Sequence, residues 1–175
     1  MEKLKKTVIT VLVAALCIFA FAGCTEKHER GPLKVTKVTY LVYSGDQPDV
    51  ELYIITKDLK VKQYNIRPEA GKNYDYLASE LPSEDCYEVT EFEIEESRWE
   101  SMVNVLTRVN FMELLEEFPW DGSDDAPTYY IRVETEDAVH TSGGCNAGFK
   151  KDPESRRFSE AKQQVNYALN KSWQD

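Results

Sequence analysis

The sequence predicts an α+β domain, a single antiparallel sheet of about six strands with two helices packed on one of its faces. Three observations carry this. Short runs rich in β-branched and aromatic residues (Val35–Tyr43, Val50–Thr56, Leu59–Ile66, Tyr87–Ile94, Thr128–Glu134 and Ala138–Ser142) are separated by turn-forming residues. Two other segments, Ser97–Asn110 and the stretch after Pro153, repeat their apolar residues at helical spacing. Hairpin-like strand runs precede each helix, and one antiparallel sheet with both helices on one face is the economical arrangement of that order.

The chain opens with Lys3, Lys5 and Lys6, then runs from Val8 to Ala22 with Thr10 as the one polar residue. Small residues, Ala22 and Gly23, precede Cys24. A charged start, a short apolar core and a small-residue cleavage site are the build of a secretory signal. Fifteen apolar-run residues at about 1.5 Å each reach roughly 22 Å, short of a hydrocarbon core of about 30 Å, so a permanent spanning helix is disfavoured. The stretch Leu16–Cys24, ending Phe21-Ala22-Gly23-Cys24, resembles the lipobox of bacterial lipoproteins, with Phe21 where that family usually has leucine. The resemblance implies that residues 1–23 are a cleaved signal peptide and that Cys24 is lipidated. It implies an extracytoplasmic domain tied to the cell membrane. Thr25 rather than Asp after the cysteine points to the outer membrane where a cell has two.

Residues 24–34 read as the lipidated cysteine and a polar tether broken by Gly31-Pro32, and residues 35–175 as one domain. His28, in the tether, reads as solvated. Val35–Tyr43 is the first strand, and Gly45, Asp46 and Pro48 turn the chain. Val50, Leu52 and Ile54 then alternate against Glu51, Tyr53 and Ile55, with a tight turn at Lys57-Asp58 and a returning strand whose Lys60 and Lys62 face solvent. Arg67–Asp85 is irregular, interrupted by Pro68, Gly71 and Pro82. Loops of this length are functional or mobile. Tyr74 and Tyr76, in its middle, are the candidate ligand-contact pair, with packing onto the domain as the plainer role.

After the strand Tyr87–Ile94, the residues Trp99, Met102, Val103, Leu106 and Val109 define one apolar helical stripe. Ser97 and Glu100 fit a capping box at its start. Asn110-Phe111 ends it, and Met112–Phe118 reads as a short second turn stopped by Pro119. An acidic loop, 119–127, leads into a hairpin turned at Glu136-Asp137. Gly143-Gly144 is expected to release the chain from that hairpin. Asp152-Pro153 reads as an N-cap followed by proline at the first helical position. Phe158, Ala161, Val165, Ala168 and Leu169 give the stripe of a helix reaching about Trp173.

Charge excludes some partners. The chain carries 21 Lys and Arg against 31 Asp and Glu, a net of −10, and the basic leader makes the remainder more acidic still. Nucleic acid and anionic lipid surfaces both reward the opposite balance. Of the four cysteines, Cys17 leaves with the signal and Cys24 takes the lipid, so Cys86 and Cys145 remain. Outside the cytoplasm that pair can form a disulfide, which would stabilise the fold by roughly 4 kcal/mol. Free thiols are the alternative in a reducing envelope.

Three constellations are candidates for chemistry. Asp121, Asp124 and Asp125, with Glu116 and Glu117 just before, offer the hard oxygen ligands that Ca²⁺ prefers, without the EF-hand spacing. His140 and Cys145 form a possible nucleophile and base of a hydrolase or thiol enzyme, with no third, orienting group marked. Ser142–Gly148 is glycine-rich enough to present backbone N–H groups to an anion, but it lacks the P-loop lysine. Two histidines in the whole chain are too few for a histidine-based metal site. No cofactor motif is present. The Trp99 helix ending in Asn110-Phe111, the Tyr129–His140 hairpin with Ser142-Gly143-Gly144, and the helix from Phe158 are similar to small extracytoplasmic lipoproteins of unknown function. The expected function is therefore a lipid-anchored, non-enzymatic binding or interaction module for a protein or small molecule. Its expected contact surfaces are the two loops, Arg67–Asp85 and Pro119–Pro127.

Overall fold

The computed structural model describes residues 31–43, 49–69, 74–78, 80–120, 122 and 126–170. The leader, with Cys24, lies outside them. Six strands, β1 (Val35–Tyr43), β2 (Val50–Thr56), β3 (Lys60–Ile66), β4 (Tyr87–Glu93), β5 (Thr128–Thr135) and β6 (Val139–Cys145), form one sheet in the order β4-β3-β2-β1-β5-β6. Every pairing is antiparallel. The helices are α1 (Glu96–Arg108) and α2 (Pro153–Ala168). This is the α+β architecture that the sequence predicts.

Alternation sorts the sheet into two faces. Val38 and Tyr40 of β1, Tyr53 and Ile55 of β2, Val61 of β3, and Ile131 and Val133 of β5 point one way. They bury against Trp99, Met102 and Leu106 of α1 and Phe158, Ala161 and Val165 of α2. Both helices thus cover the same face. Leu41, Val50, Leu52 and Ile66 point the other way, where Tyr76 covers them. A register shift between Val35 and Lys37 resets the alternation, so Val35 joins the helix-covered core despite its sequence parity.

The strand order explains why α1 must exist. β4 and β5 run parallel with three strands between them, and parallel strands require a crossover. α1 is that crossover. Its start differs from the capping box expected at Ser97. Glu95 is the N-cap, with no side-chain capping bond, and its carbonyl accepts the N–H groups of Arg98 at 3.0 Å and Trp99 at 3.2 Å. Ile94 is still in register with the sheet, its N–H donating to the Leu59 carbonyl at 2.9 Å, so the helix turns off immediately after it. At the other end Asn110 is left-handed (φ 49°), and the Arg157 guanidinium of α2 donates to the carbonyls of Val109 (2.7 Å) and Asn110 (2.9 Å). That cross-helix cap satisfies carbonyls that a helix terminus leaves without intrahelical partners.

α2 starts as its sequence says. The Asp152 carboxylate accepts the Ser155 N–H at 2.9 Å and Pro153 occupies the first turn. It stops earlier than expected, capped by Leu169 with Asn170 left-handed, rather than near Trp173. The β2–β3 turn also differs by one residue, because Leu59 is left-handed (φ 68°) and the strand begins at Lys60.

The second hairpin is longer than predicted. β6 runs straight through Gly143-Gly144 to Cys145. A Cβ at Gly143 would stand 2.2 Å from the Tyr129 carbonyl oxygen and 2.4 Å from the Tyr130 ring, so glycine is required by close approach within a strand. The segment after α1 then lies along the outer edge of β6 instead of forming a second helical turn beyond Phe111–Glu113. Gly143 N–H donates to the Glu116 carbonyl at 3.2 Å, Phe118 N–H to Gly143 at 2.7 Å, and the Ser142 hydroxyl to Leu115 at 2.7 Å. That covers part of an edge that would otherwise be open to pairing.

Candidate functional site: a tyrosine cleft on the helix-free face

The helix-free face carries a cleft of about 610 Å³ lined by tyrosines from two sources. Alternation in β1 sends Leu41 and Tyr43 to this side, and register places Leu41 opposite Tyr130 of β5. The loop between β3 and β4 supplies the rest. Its ends are held together where Arg67 N–H donates to the Cys86 carbonyl at 2.8 Å. Within it, a 3₁₀ turn at Tyr76–Ala78 is set by Asp75, whose Oδ1 accepts the Ala78 N–H at 3.0 Å. Glu80 returns the favour, its carboxylate accepting the Asp75 N–H at 3.2 Å.

This turn drives the Tyr76 ring onto the sheet, where only 5% of the residue remains exposed. Its centroid lies 6.3 Å from that of Tyr43 and 5.8 Å from that of Tyr74. Tyr74 is half-buried and donates its hydroxyl to Glu69 at 3.1 Å. The same Glu69 oxygen accepts the Ser83 hydroxyl at 3.2 Å, so one carboxylate staples both arms of the loop. The sequence expectation for Tyr74 and Tyr76 contained two roles, and the geometry combines them: both pack the loop down, and both line the cleft.

The phenols are held neutral. Burial raises the Tyr43 hydroxyl above its usual range, with Tyr76 and Asp75 adding to the shift. Burial, followed by the Glu117 carboxylate, pushes Tyr130 up to about 12. Its hydroxyl donates to both Glu117 oxygens at 3.0 Å. Asp75 and Glu80 stand exposed at the rim, and no Lys or Arg is among the described residues lining the cleft.

The other candidates form no second site among the described residues. Asp121, Asp124 and Asp125 lie outside the described residues, while Glu117 is engaged with Tyr130. Among the described residues no group of three or more His, Cys, Asp or Glu converges to hold a metal ion. His140 and Cys145 sit on opposite faces of β6. His140 pairs with Val133 on the helix side, its ring edge-on to Phe111 at 5.8 Å, whereas Cys145 pairs with Thr128 on the other side and its thiol meets the Ala126 carbonyl at 3.7 Å. Five residues of strand separate their Cα atoms by about 17 Å. The glycine-rich stretch is not an open nest either, since Gly143, Asn146 and Ala147 all donate their N–H groups to backbone carbonyls.

Of the two alternatives for Cys86 and Cys145, a bridge or free thiols, the structure has the second: both are free cysteines. Cys86 immediately precedes edge strand β4 and Cys145 ends the opposite edge strand β6. Five strand spacings of about 4.8 Å put them roughly 24 Å apart across the sheet, against the ~7 Å limit for a disulfide. Burial raises the Cys86 thiol, with the Asp85 and Glu69 charges adding to it.

Sequence reasoning did not single out Lys162. It is 8% exposed, with its Nζ 3.9 Å from the Tyr129 ring centroid and 4.6 Å from that of Phe149. Burial pushes it down to about 8. The available signal was its position four residues after Phe158, on the stripe side of α2. Tyr43 and Tyr130 were legible as strand residues but not as partners of the loop tyrosines, because strand order decides that.

No protein-family model matches the chain, and no curated protein matches it. Among the described residues no helix is long and apolar enough to cross a membrane.

Proposed function

We propose that the protein is an extracytoplasmic lipoprotein, anchored to the membrane through lipid on Cys24, whose domain is a non-enzymatic binding module using the tyrosine cleft as its site. One observation carries the binding assignment. Tyr43 and Tyr130 from the sheet and Tyr74 and Tyr76 from the loop converge on the face that the helices leave uncovered. Small-ligand sites are commonly lined by aromatic rings with a few polar groups at the rim, and this open depression, about 610 Å³, falls within their usual size. Within the described residues of the loop, Glu69 accepts from both Tyr74 and Ser83, which ties Tyr74 to the loop's other arm. The candidate nucleophile-and-base pair, His140 with Cys145, is divided between the two faces, which favours binding over thiol chemistry by that pair.

The anchor rests on the sequence: a basic start, an apolar core and the Phe21-Ala22-Gly23-Cys24 ending. Metabolic labelling with palmitate tests it. The wild-type chain is expected to take up label and fractionate with membranes, and Cys24→Ser to lose both. Label retained by Cys24→Ser would refute the anchor.

A further inference from the structure

We infer that the tyrosine cleft takes an organic ammonium cation, the charge carried by a trimethylammonium headgroup or a primary alkylamine. This rests on the cleft being the binding site and names the chemistry of its ligand. Aromatic rings present a negative π-face, and cations within about 6 Å of a ring centroid are attracted to it, most strongly where water is displaced. Four tyrosine rings border this cleft. Glu117, hydrogen-bonded to the Tyr130 hydroxyl through both oxygens, polarises that phenol and adds electron density to its ring.

The rim supplies the counter-charge. Asp75 and Glu80 each give one carboxylate oxygen to a backbone N–H, and among the described residues no hydrogen bond takes the second. The net charge of −10 adds a long-range field that draws cations inward. Other chemistries fit less well. An anion would meet these two carboxylates with no Lys or Arg among the described lining residues. A bare divalent cation wants six or so converging oxygens, and no such cluster exists among the described residues. A neutral ligand would cover the rim carboxylates without compensating them. An ammonium group, weakly hydrated when alkylated, uses both rings and carboxylates. The molecule contains one such arrangement already, in the Lys162 ammonium between the Tyr129 and Phe149 rings on the opposite face.

The test uses the full chain, purified from membranes in detergent, and ligand-observed saturation-transfer NMR. The probes are choline, n-butylammonium and 3,3-dimethylbutan-1-ol, the uncharged carbon isostere of choline. Saturation of choline or n-butylammonium is expected to exceed that of the isostere by about three- to fivefold. It should fall to the isostere's level in Tyr74→Ala and decline in Asp75→Asn, a variant that keeps the side-chain shape. Glu100→Gln on α1 should leave it unchanged. The stronger of the two cations identifies the headgroup. Equal saturation by cations and isostere, lost in Tyr74→Ala, would overturn the cation assignment while leaving the cleft as the site. Saturation unaltered in both cleft variants would overturn the assignment and the cleft together.

Discussion

Lys162 is the residue whose behaviour departs most from its type. A helix lysine normally keeps its ammonium in water, yet this one lies under Phe149 and against Tyr129. Burial disfavours the charged form and pushes the group down to about 8, while the two rings favour the charge. An unfolded lysine titrates near 10.4, so between these values the unfolded chain holds more protons and stability rises with pH. Below about pH 8 the whole cost of the buried charge is present, at most about 3 kcal/mol before the ring contacts offset part of it. Lys162→Met keeps the stem and removes the charge. The variant is expected to melt higher than wild type at pH 7, with the gap narrowing from pH 8 to pH 10 as wild-type Lys162 loses its proton. A variant that melts lower at pH 7 would mean the ring contacts outweigh the burial. Its spacing from Phe158 puts Lys162 on the stripe side of α2, but its polarity reads as a solvent-facing position until Phe149 is folded over it.

The strands and helices were legible where one periodicity dominated. β1 was placed to the residue because Val38, Tyr40 and Leu41 occupy a segment buried on both faces, and α2 announced itself through Asp152-Pro153. The failures share a cause, long-range contact overriding local signal. Ser97 and Glu100 satisfy the capping-box pattern, but the β4 ladder ends at Ile94 and fixes an earlier start. Gly143-Gly144 reads as a break, yet the Tyr130 ring and the 116–118 segment occupy the space around it and keep it in the strand. Two strands' worth of register had to be known first. α1 itself carries the plainest energetic expectation. Leu106 is fully buried between the sheet and α2, so Leu106→Ala should cost about 2–5 kcal/mol in urea unfolding. A loss below half a kcal/mol, on the order of a surface change, would contradict the packing of that face.

The described domain is two-sided. Both helices stand on one face, and a stapled loop with its tyrosines stands on the other. The sequence predicted the first side, because amphipathic stripes are local. It could name Tyr74 and Tyr76 but not their partners, since Tyr43 and Tyr130 reach them only when β1 and β5 are neighbours. The same strand order separates Cys86 from Cys145, so stability rests on a two-faced core without a bridge between them. The proposed binding site lies on the loop-covered face. The most direct test of that account places a photo-crosslinking amino acid at position 74, in the cleft, or at position 100, on exposed α1, in the membrane-anchored protein of living cells. Adducts are expected from position 74 and not from position 100. Adducts from position 100 alone, or equally from both, would contradict the cleft as the binding site.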